Sequence, residues 1–242
     1  MKRTVVITGA SRGLGLALAK QFTDLGDTVF GISRTRKNWP AAKEAVPSDR
    51  FKLIAGDITS EKTVKTLLAG IKRRTGRIDI LINNAGYCAP LAPVEKVTLK
   101  EFREHFKQNL DTAFLMCKYA VPIMKKQPKA LIMNVSSMAG TRAVPRLVSY
   151  SAAKFGVLAL SQAVAKENAE TGLQCITVCP GGMNTEMRRE LFGNEDAERQ
   201  QTPEFVAGIM TQITEGKLEV LSGGHIVIRH GKITGVFPPP AA

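Results

Sequence analysis

The chain has 242 residues, 44% of them hydrophobic, and carries 34 lysines and arginines against 21 carboxylates, a net charge of +13. That length suits one α/β domain with a full core, and no apolar run reaches the ~18–20 residues of a membrane span. The excess of positive charge calls for anionic partners without naming one.

Thr4 to Thr8 (TVVIT) is a short β-branched run and reads as a first strand. It meets GASRGLG, with Gly9, Gly13 and Gly15, and then an Ala/Leu-rich helix to Leu25. Strand, glycine turn and helix together let backbone approach a phosphate, with the helix N-terminus stabilising the negative charge. The spacing is G-x-x-x-G-x-G, not the better-known G-x-G-x-x-G.

Thr28 to Ile32 makes the second strand. An acidic residue at its end would select NAD by bonding the ribose 2′-hydroxyl, whereas arginine accommodates the 2′-phosphate of NADP. Here the chain has Ser33-Arg34 and no carboxylate, and Arg12 in the glycine turn could reach the same phosphate. The expected cofactor is therefore NADP(H).

Strand and helix keep alternating. Phe51 to Ala55 is a strand followed by Asp57, Glu61 to Arg74 an amphipathic helix, and Ile78 to Ile82 a strand ending in Asn83-Asn84-Ala85-Gly86. Thr98 to Lys126 holds one or two helices containing Asn109; Ala130 to Val135 and Leu173 to Cys179 are the fifth and sixth strands. After PGGMNTEM and a charged stretch come a helix from Pro203 and a last strand, His225 to Arg229. Such alternation implies a mainly parallel sheet covered on both faces. One domain over 1–237 is expected, with a frayed proline tail at 238–242.

The stretch from Leu131 to Gly156 carries the chemistry. A buried strand ends in Ser136-Ser137, and a helix opening near Tyr150 carries Lys154 four residues on, on the same face. A phenol, an ammonium and a hydroxyl converging at the carboxyl end of a sheet strand can move a proton onto or off a carbonyl oxygen. A free phenol has a pKa of ~10, so a nearby cation is needed to bring it into range.

Other residues read as structure. Cys88, Cys117, Cys175 and Cys179 show no paired spacing, and His105, His225 and His230 are scattered, so reduced packing thiols and no metal site are expected. The clusters Lys72-Arg73-Arg74, Lys125-Lys126 and Arg188-Arg189 lack interleaved aromatics and read as solvated faces; no nucleic-acid motif appears. The amino terminus has an apolar stretch too short for a secretory signal, which makes the cytoplasm the default location.

Five motifs in order, over about residues 3 to 230, make the chain resemble the classical short-chain dehydrogenases/reductases. TGASRGLG (8–15) is similar to that family's glycine motif, and NNAG (83–86) to its sheet-stabilising motif. Asp57, Asn109 and the set Ser137, Tyr150, Lys154 fall at matching places, and PGGMNT (180–185) looks like the loop that embraces the nicotinamide. The resemblance implies a single-domain Rossmann fold with a doubly wound, mainly parallel seven-stranded sheet. It implies hydride transfer between NADP(H) and a carbonyl/alcohol pair.

In that scheme Tyr150 supplies the proton, Ser137 holds the carbonyl oxygen, and Lys154 holds the ribose and favours the tyrosinate. Asn109 positions a water that links Lys154 to solvent. The cofactor would lie along Gly9, Ser11, Arg12, Gly13, Leu14 and Gly15, then Ser33, Arg34, Asp57 and Ile58. Asn84, Ala85, Gly86, Tyr150, Lys154, Pro180, Gly181 and Thr185 complete the binding set, with Thr185 on the carboxamide. Relatives pair their long helices across a two-fold axis, so a homodimer or homotetramer is implied.

One departure bears on assembly: where relatives commonly end their last strand in Asp-Gly-Gly, this chain reads His230-Gly231-Lys232. The expected substrate is a small carbonyl compound or a 3-oxoacyl thioester, the latter docking an acidic carrier protein or coenzyme A on the basic surface. Two other classes compete: an NADP(H)-binding regulatory protein without turnover, and, on charge alone, a nucleic-acid binder. The intact Ser137, Tyr150 and Lys154 argue for the enzyme.

Overall fold

The computed structural model describes residues 2–89 and 91–241. Its strands are β1 (Thr4–Thr8), β2 (Thr28–Ser33), β3 (Phe51–Ala55), β4 (Ile80–Asn83), β5 (Ala130–Val135), β6 (Leu173–Pro180), β7 (His225–Arg229) and β8 (Lys232–Phe237). The helices are α1 (Gly13–Asp24), α2 (Trp39–Ala45), α3 (Glu61–Thr75), α4 (Leu99–Phe106) and α5 (Thr112–Met124). They continue with α6 (Val148–Glu167), α7 (Glu186–Phe192), α8 (Asn194–Glu198) and α9 (Pro203–Thr214).

The strands form one sheet in the order β3-β2-β1-β4-β5-β6-β7-β8. All pairings are parallel except β7 with β8. This is a doubly wound Rossmann-like fold. Period-two alternation along each strand sends side chains to opposite faces and so builds two cores. Val5 and Ile7 of β1, Ile80 and Ile82 of β4, and Met133 and Val135 of β5 meet α1 and α9 on one face. Val6, Leu81 and Ile132, from the same strands, meet α3, α5 and the end of α6 on the other. No helix among the described residues is long and apolar enough to cross a membrane.

Strand order reverses between β1 and β4. The first crossovers run outward to β2 and β3, the next to β5 and β6, so the loops leaving β1 and β4 part and open a crevice at the carboxyl edge. Asn84 holds that crevice in shape. Its side-chain amide donates to the Thr8 carbonyl at 2.9 Å, and its backbone N–H donates to the Thr8 hydroxyl at 3.0 Å.

The sheet has eight strands, not the expected seven. β8 folds back on β7 through His230-Gly231, both with positive φ (53° and 68°), the conformation of a two-residue turn that matches strand twist. Histidine at the first turn position hides the signal that Asn-Gly would give. β8 therefore takes the sheet edge that β7 was expected to hold. Residues 238–241 join no ladder, and Ala242 lies outside the described residues.

His230 carries a left-handed backbone on a residue with a Cβ. His230→Gly is expected to raise stability by about 0.5–1 kcal/mol, a rise of a few degrees in melting temperature. A lower melting temperature would show that the His230 side chain does more for the hairpin than its backbone costs.

Candidate active site

The glycine turn forms the floor of the crevice. Arg12 is the N-cap of α1 in extended conformation, supplies no side-chain cap, and no acidic residue occupies the first turn. The first-turn N–H groups are thus left for an anion at the positive end of the helix. A Cβ on Gly15 would stand 2.2 Å from the Gly9 carbonyl oxygen, so only glycine lets α1 begin this close to β1. Such a cradle fits the phosphates of a dinucleotide. Ser11 lies in the turn, whereas Leu14 points into the core.

At the end of β2, Ser33 is buried and its hydroxyl is committed to its own loop. It accepts from Trp39 Nε1 at 2.7 Å and donates to the Thr35 carbonyl at 2.9 Å. Arg34 is exposed, and the Arg36 guanidinium lies 5.1 Å from the centre of the Trp39 ring. Asp57 accepts from the Thr59 N–H at 3.0 Å and the Thr59 hydroxyl at 2.8 Å. Those bonds, with Arg34 nearby, hold its carboxyl below the ordinary value. Ile58 packs against the second core.

The catalytic candidates come together at the end of β5. Ser137 accepts from the Ala139 N–H at 3.1 Å, and α6 begins two residues before Tyr150. Lys154 lies one helical turn on, its Nζ 5.7 Å from the centre of the Tyr150 ring. Only 3% of Lys154 is exposed, and its Nζ donates to the Val135 carbonyl at 2.9 Å. Burial lowers the lysine to about 8.

Among the chain's own groups, burial decides the state of the phenol. Burial pushes Tyr150 above the ordinary phenol range, and the Ser137 hydroxyl only partly offsets it. The cause is geometric: the ammonium is turned to a carbonyl, while desolvation penalises the phenolate in full.

Asn109 sits in a π-helical turn, Lys107–Asp111, joining α4 to α5. Its amide donates to the carbonyls of Tyr87 (2.9 Å) and His105 (2.8 Å), and its Oδ1 accepts the Tyr87 N–H at 3.1 Å. Both donors are spent, so one Oδ1 lone pair is what Asn109 can offer a water. A Cβ on Gly86 would lie 3.0 Å from that Oδ1 and 3.4 Å from Lys154 Nζ; glycine lets the two approach from either side.

His105 was not among the expected site residues. Its Nε2 accepts the Ala89 N–H at 3.1 Å and its Nδ1 faces the Glu101 carbonyl at 2.9 Å, partners that assign the Nδ1–H tautomer. It thus pins the loop carrying Cys88, whose thiol burial raises to about 11 against the opposing pull of Lys154. The sequence signal was the i, i+4 spacing of His105 and Asn109.

Beyond β6, Gly181 donates its N–H to the Ile228 carbonyl at 2.7 Å, and Thr185 caps α7 by accepting the Arg188 N–H at 3.3 Å. A Cβ on Gly13 would lie 3.5 Å from the Thr185 methyl, so this loop sits directly over the glycine turn. Glu186, the next residue, is ion-paired with Arg12. Arg188 pairs with Asp196 at 2.5 Å, and Arg189 donates to Asn184 Oδ1 at 2.6 Å. The charged segment is therefore largely tied to itself.

The remaining basic clusters lie elsewhere. Lys72-Arg73-Arg74 end α3 and Lys125-Lys126 follow α5, just before β4 and β5 begin. Gln127 Nε2 donates to the Ile78 carbonyl at 2.5 Å and sets the two loops side by side. That is the edge of the sheet opposite Ser137 and Tyr150.

The family model for short chain dehydrogenase matches residues 3–196, and the chain belongs to that family of oxidoreductases, whose members bind a nicotinamide cofactor. It is 33% identical over 189 residues to an L-fucose dehydrogenase of Oryctolagus cuniculus, a match covering 78% of this chain and 66% of that one. With an NADPH-dependent pterin aldehyde reductase of Arabidopsis thaliana it shares 32% over 203 residues, 84% of this chain and 83% of the other. With a 3-oxoacyl-acyl-carrier-protein reductase of Haemophilus influenzae it shares 31% over 216 residues, covering 89% and 84%. The solved structure of ElxO with NADP bound superposes with a TM-score of 0.85 at 26% identity, over 94% of this chain and 96% of that one.

Burying the Lys154 charge has a measurable consequence. Its folded value of about 8 lies below the ordinary 10.5, so the folded state gives up this proton first as pH rises. The destabilisation is complete below pH 8 and fades between 8 and 10.5. A shift of that size is on the order of 3 kcal/mol, less about 1–2 for leaving the Val135 carbonyl unpaired once the lysine is gone. Lys154→Met should therefore melt higher than wild type at pH 7, with the gap closing as pH rises above 8 and reversing by pH 10.5, where only the loss of the Val135 bond remains. A mutant that melts lower at pH 7 would mean that the ammonium stabilises the fold.

Proposed function

We propose that this chain is an NADP(H)-dependent reductase of small aldehyde or ketone carbonyls, with Tyr150 as the proton donor. The observation that carries the reading is the meeting of Ser137, Tyr150 and Lys154 at the carboxyl edge of β5, beside a glycine turn whose helix N-terminus carries no cap. A bound nicotinamide cofactor would supply the hydride. The protein's part is to hold the carbonyl oxygen between the Ser137 hydroxyl and the Tyr150 phenol and to deliver the phenol proton as negative charge develops on that oxygen.

A phenol pKa raised by burial suits this direction, because it keeps Tyr150 protonated until an alkoxide forms. In this reading Asn109 offers its remaining Oδ1 lone pair to a water that links Lys154 to solvent and so returns the proton to Tyr150. The choice of NADP(H) over NAD(H) rests on Arg12 in the glycine turn and Arg34 at the end of β2, with no acid at position 33. The NADPH-dependent Arabidopsis relative and the NADP-bound neighbour support it.

A 3-oxoacyl thioester is a second reading, favoured by the Haemophilus relative. The position of the basic clusters weighs against a carrier docked there, since a substrate presented at that edge would be on the wrong side of the sheet. The homodimer or homotetramer follows the resemblance, and the exposed Phe114 of α5 and Phe155 of α6 lie on the helices that it would pair.

NADPH oxidation against a panel of aldehydes, ketones and 3-oxoacyl thioesters tests the reading. Tyr150→Phe should abolish turnover while NADPH still binds. Ser137→Ala should lose about 10²–10³-fold in kcat, the loss of one donor to the developing oxyanion. Near-normal turnover in Tyr150→Phe would remove Tyr150 as the proton donor, and a panel with no substrate for a protein that binds NADPH would favour the regulatory alternative.

A further inference from the structure

Glu186 is a carboxylate at the edge of a crevice built to receive phosphates. It opens α7, directly after the residue whose methyl group faces Gly13, and pairs with the Arg12 guanidinium. The partners are 174 positions apart in sequence and both are about half exposed. Among the described residues neither is tied down elsewhere: Arg12 gives α1 no side-chain cap, and α7 is capped by Thr185 rather than by Glu186. The two other arginines of this segment have their own partners, Asp196 and Asn184, so Arg12 is the bond that Glu186 makes across the crevice.

We propose that Glu186 is a cofactor-selectivity residue. Its carboxylate holds Arg12 while no cofactor is bound, and the 2′-phosphate of NADP(H) displaces it. This rests on the NADP(H) reading of Arg12 and Arg34. A phosphate dianion and a carboxylate converging on one guanidinium repel each other, so the two contacts compete. NAD(H) has no 2′-phosphate and leaves the pair in place. Glu186 is a positioning residue: it touches neither hydride nor carbonyl and acts through Arg12. The pair also joins the glycine turn to the segment over the site, so a cofactor carrying the 2′-phosphate frees α7, and one lacking it does not.

Fluorescence titration with NADPH and with NADH, on wild type, Glu186→Gln, Arg12→Met and the double variant, tests this without turnover. Glu186→Gln keeps size and polarity at an exposed position. Its Kd for NADPH should fall about two- to fivefold, the range of one exposed ion pair. The ratio of the NADH to the NADPH constant should rise at least about twofold, and Glu186→Asp should restore the wild-type ratio. In the Arg12→Met background the effect of Glu186→Gln should vanish.

A purely structural role for Glu186 would move both cofactors together and survive the loss of Arg12, and either result overturns the proposal. So does an NADPH constant in Glu186→Gln that is unchanged or weaker, when wild type prefers NADPH and Arg12→Met loses that preference; only the competition then fails. A wild type that binds NADH as tightly as NADPH, with Arg12→Met silent, shows instead that the NADP(H) reading is wrong and takes the proposal with it.

Discussion

The site depends on one buried ammonium. Lys154 is sealed under β5 and α6 with its Nζ on the Val135 carbonyl, and its charge is costly to keep there. The surroundings are arranged to accept it. The Ser136 hydroxyl donates to the Lys154 carbonyl at 2.8 Å, which fixes this turn of α6 to the end of β5. A Cβ at Gly140 would lie 2.7 Å from the same carbonyl, and one at Gly86 3.4 Å from Nζ, so small residues close over the lysine where larger ones would push it out. Tyr150 and Ser137 take their positions from that packing.

Sheet topology brings the second half of the site to the same place. Order reversal between β1 and β4 opens a crevice beside β5, and Asn84 bonds its two sides together through Thr8. The glycine turn and the cluster of Ser137, Tyr150 and Lys154 are therefore neighbours because the chain crosses over in opposite directions on either side of β1 and β4. Arg12 and Glu186 close the outer side of this crevice, and His105 and Asn109 fix the loop that borders it.

Much of this was legible in the sequence, for physical reasons. Short apolar, β-branched runs alternating with helical segments marked the first seven strands, and the four-residue spacing of Tyr150 and Lys154 required a shared helix face. The glycine turn was readable because close packing admits no other residue at Gly15. The rest left no local trace. A π-helical turn at Asn109 changes one hydrogen-bond register and no composition. β8 went unseen because His-Gly is an uncommon way to write a tight turn. The Tyr150 pKa depends on how deeply the phenol is desolvated and where Lys154 points, neither of which spacing encodes. The Arg12–Glu186 pair joins residues that only the folded chain brings together.

The state of the Lys154 ammonium is the most direct measure of the account. In cofactor-free protein with 13C-labelled lysine ε-carbons, an NMR titration should show one resonance, absent from Lys154→Met, that changes protonation at about 8. A spectrum in which every lysine titrates near the ordinary 10.5 would mean that Lys154 is solvated, and would contradict the buried charge from which the rest of the site was derived.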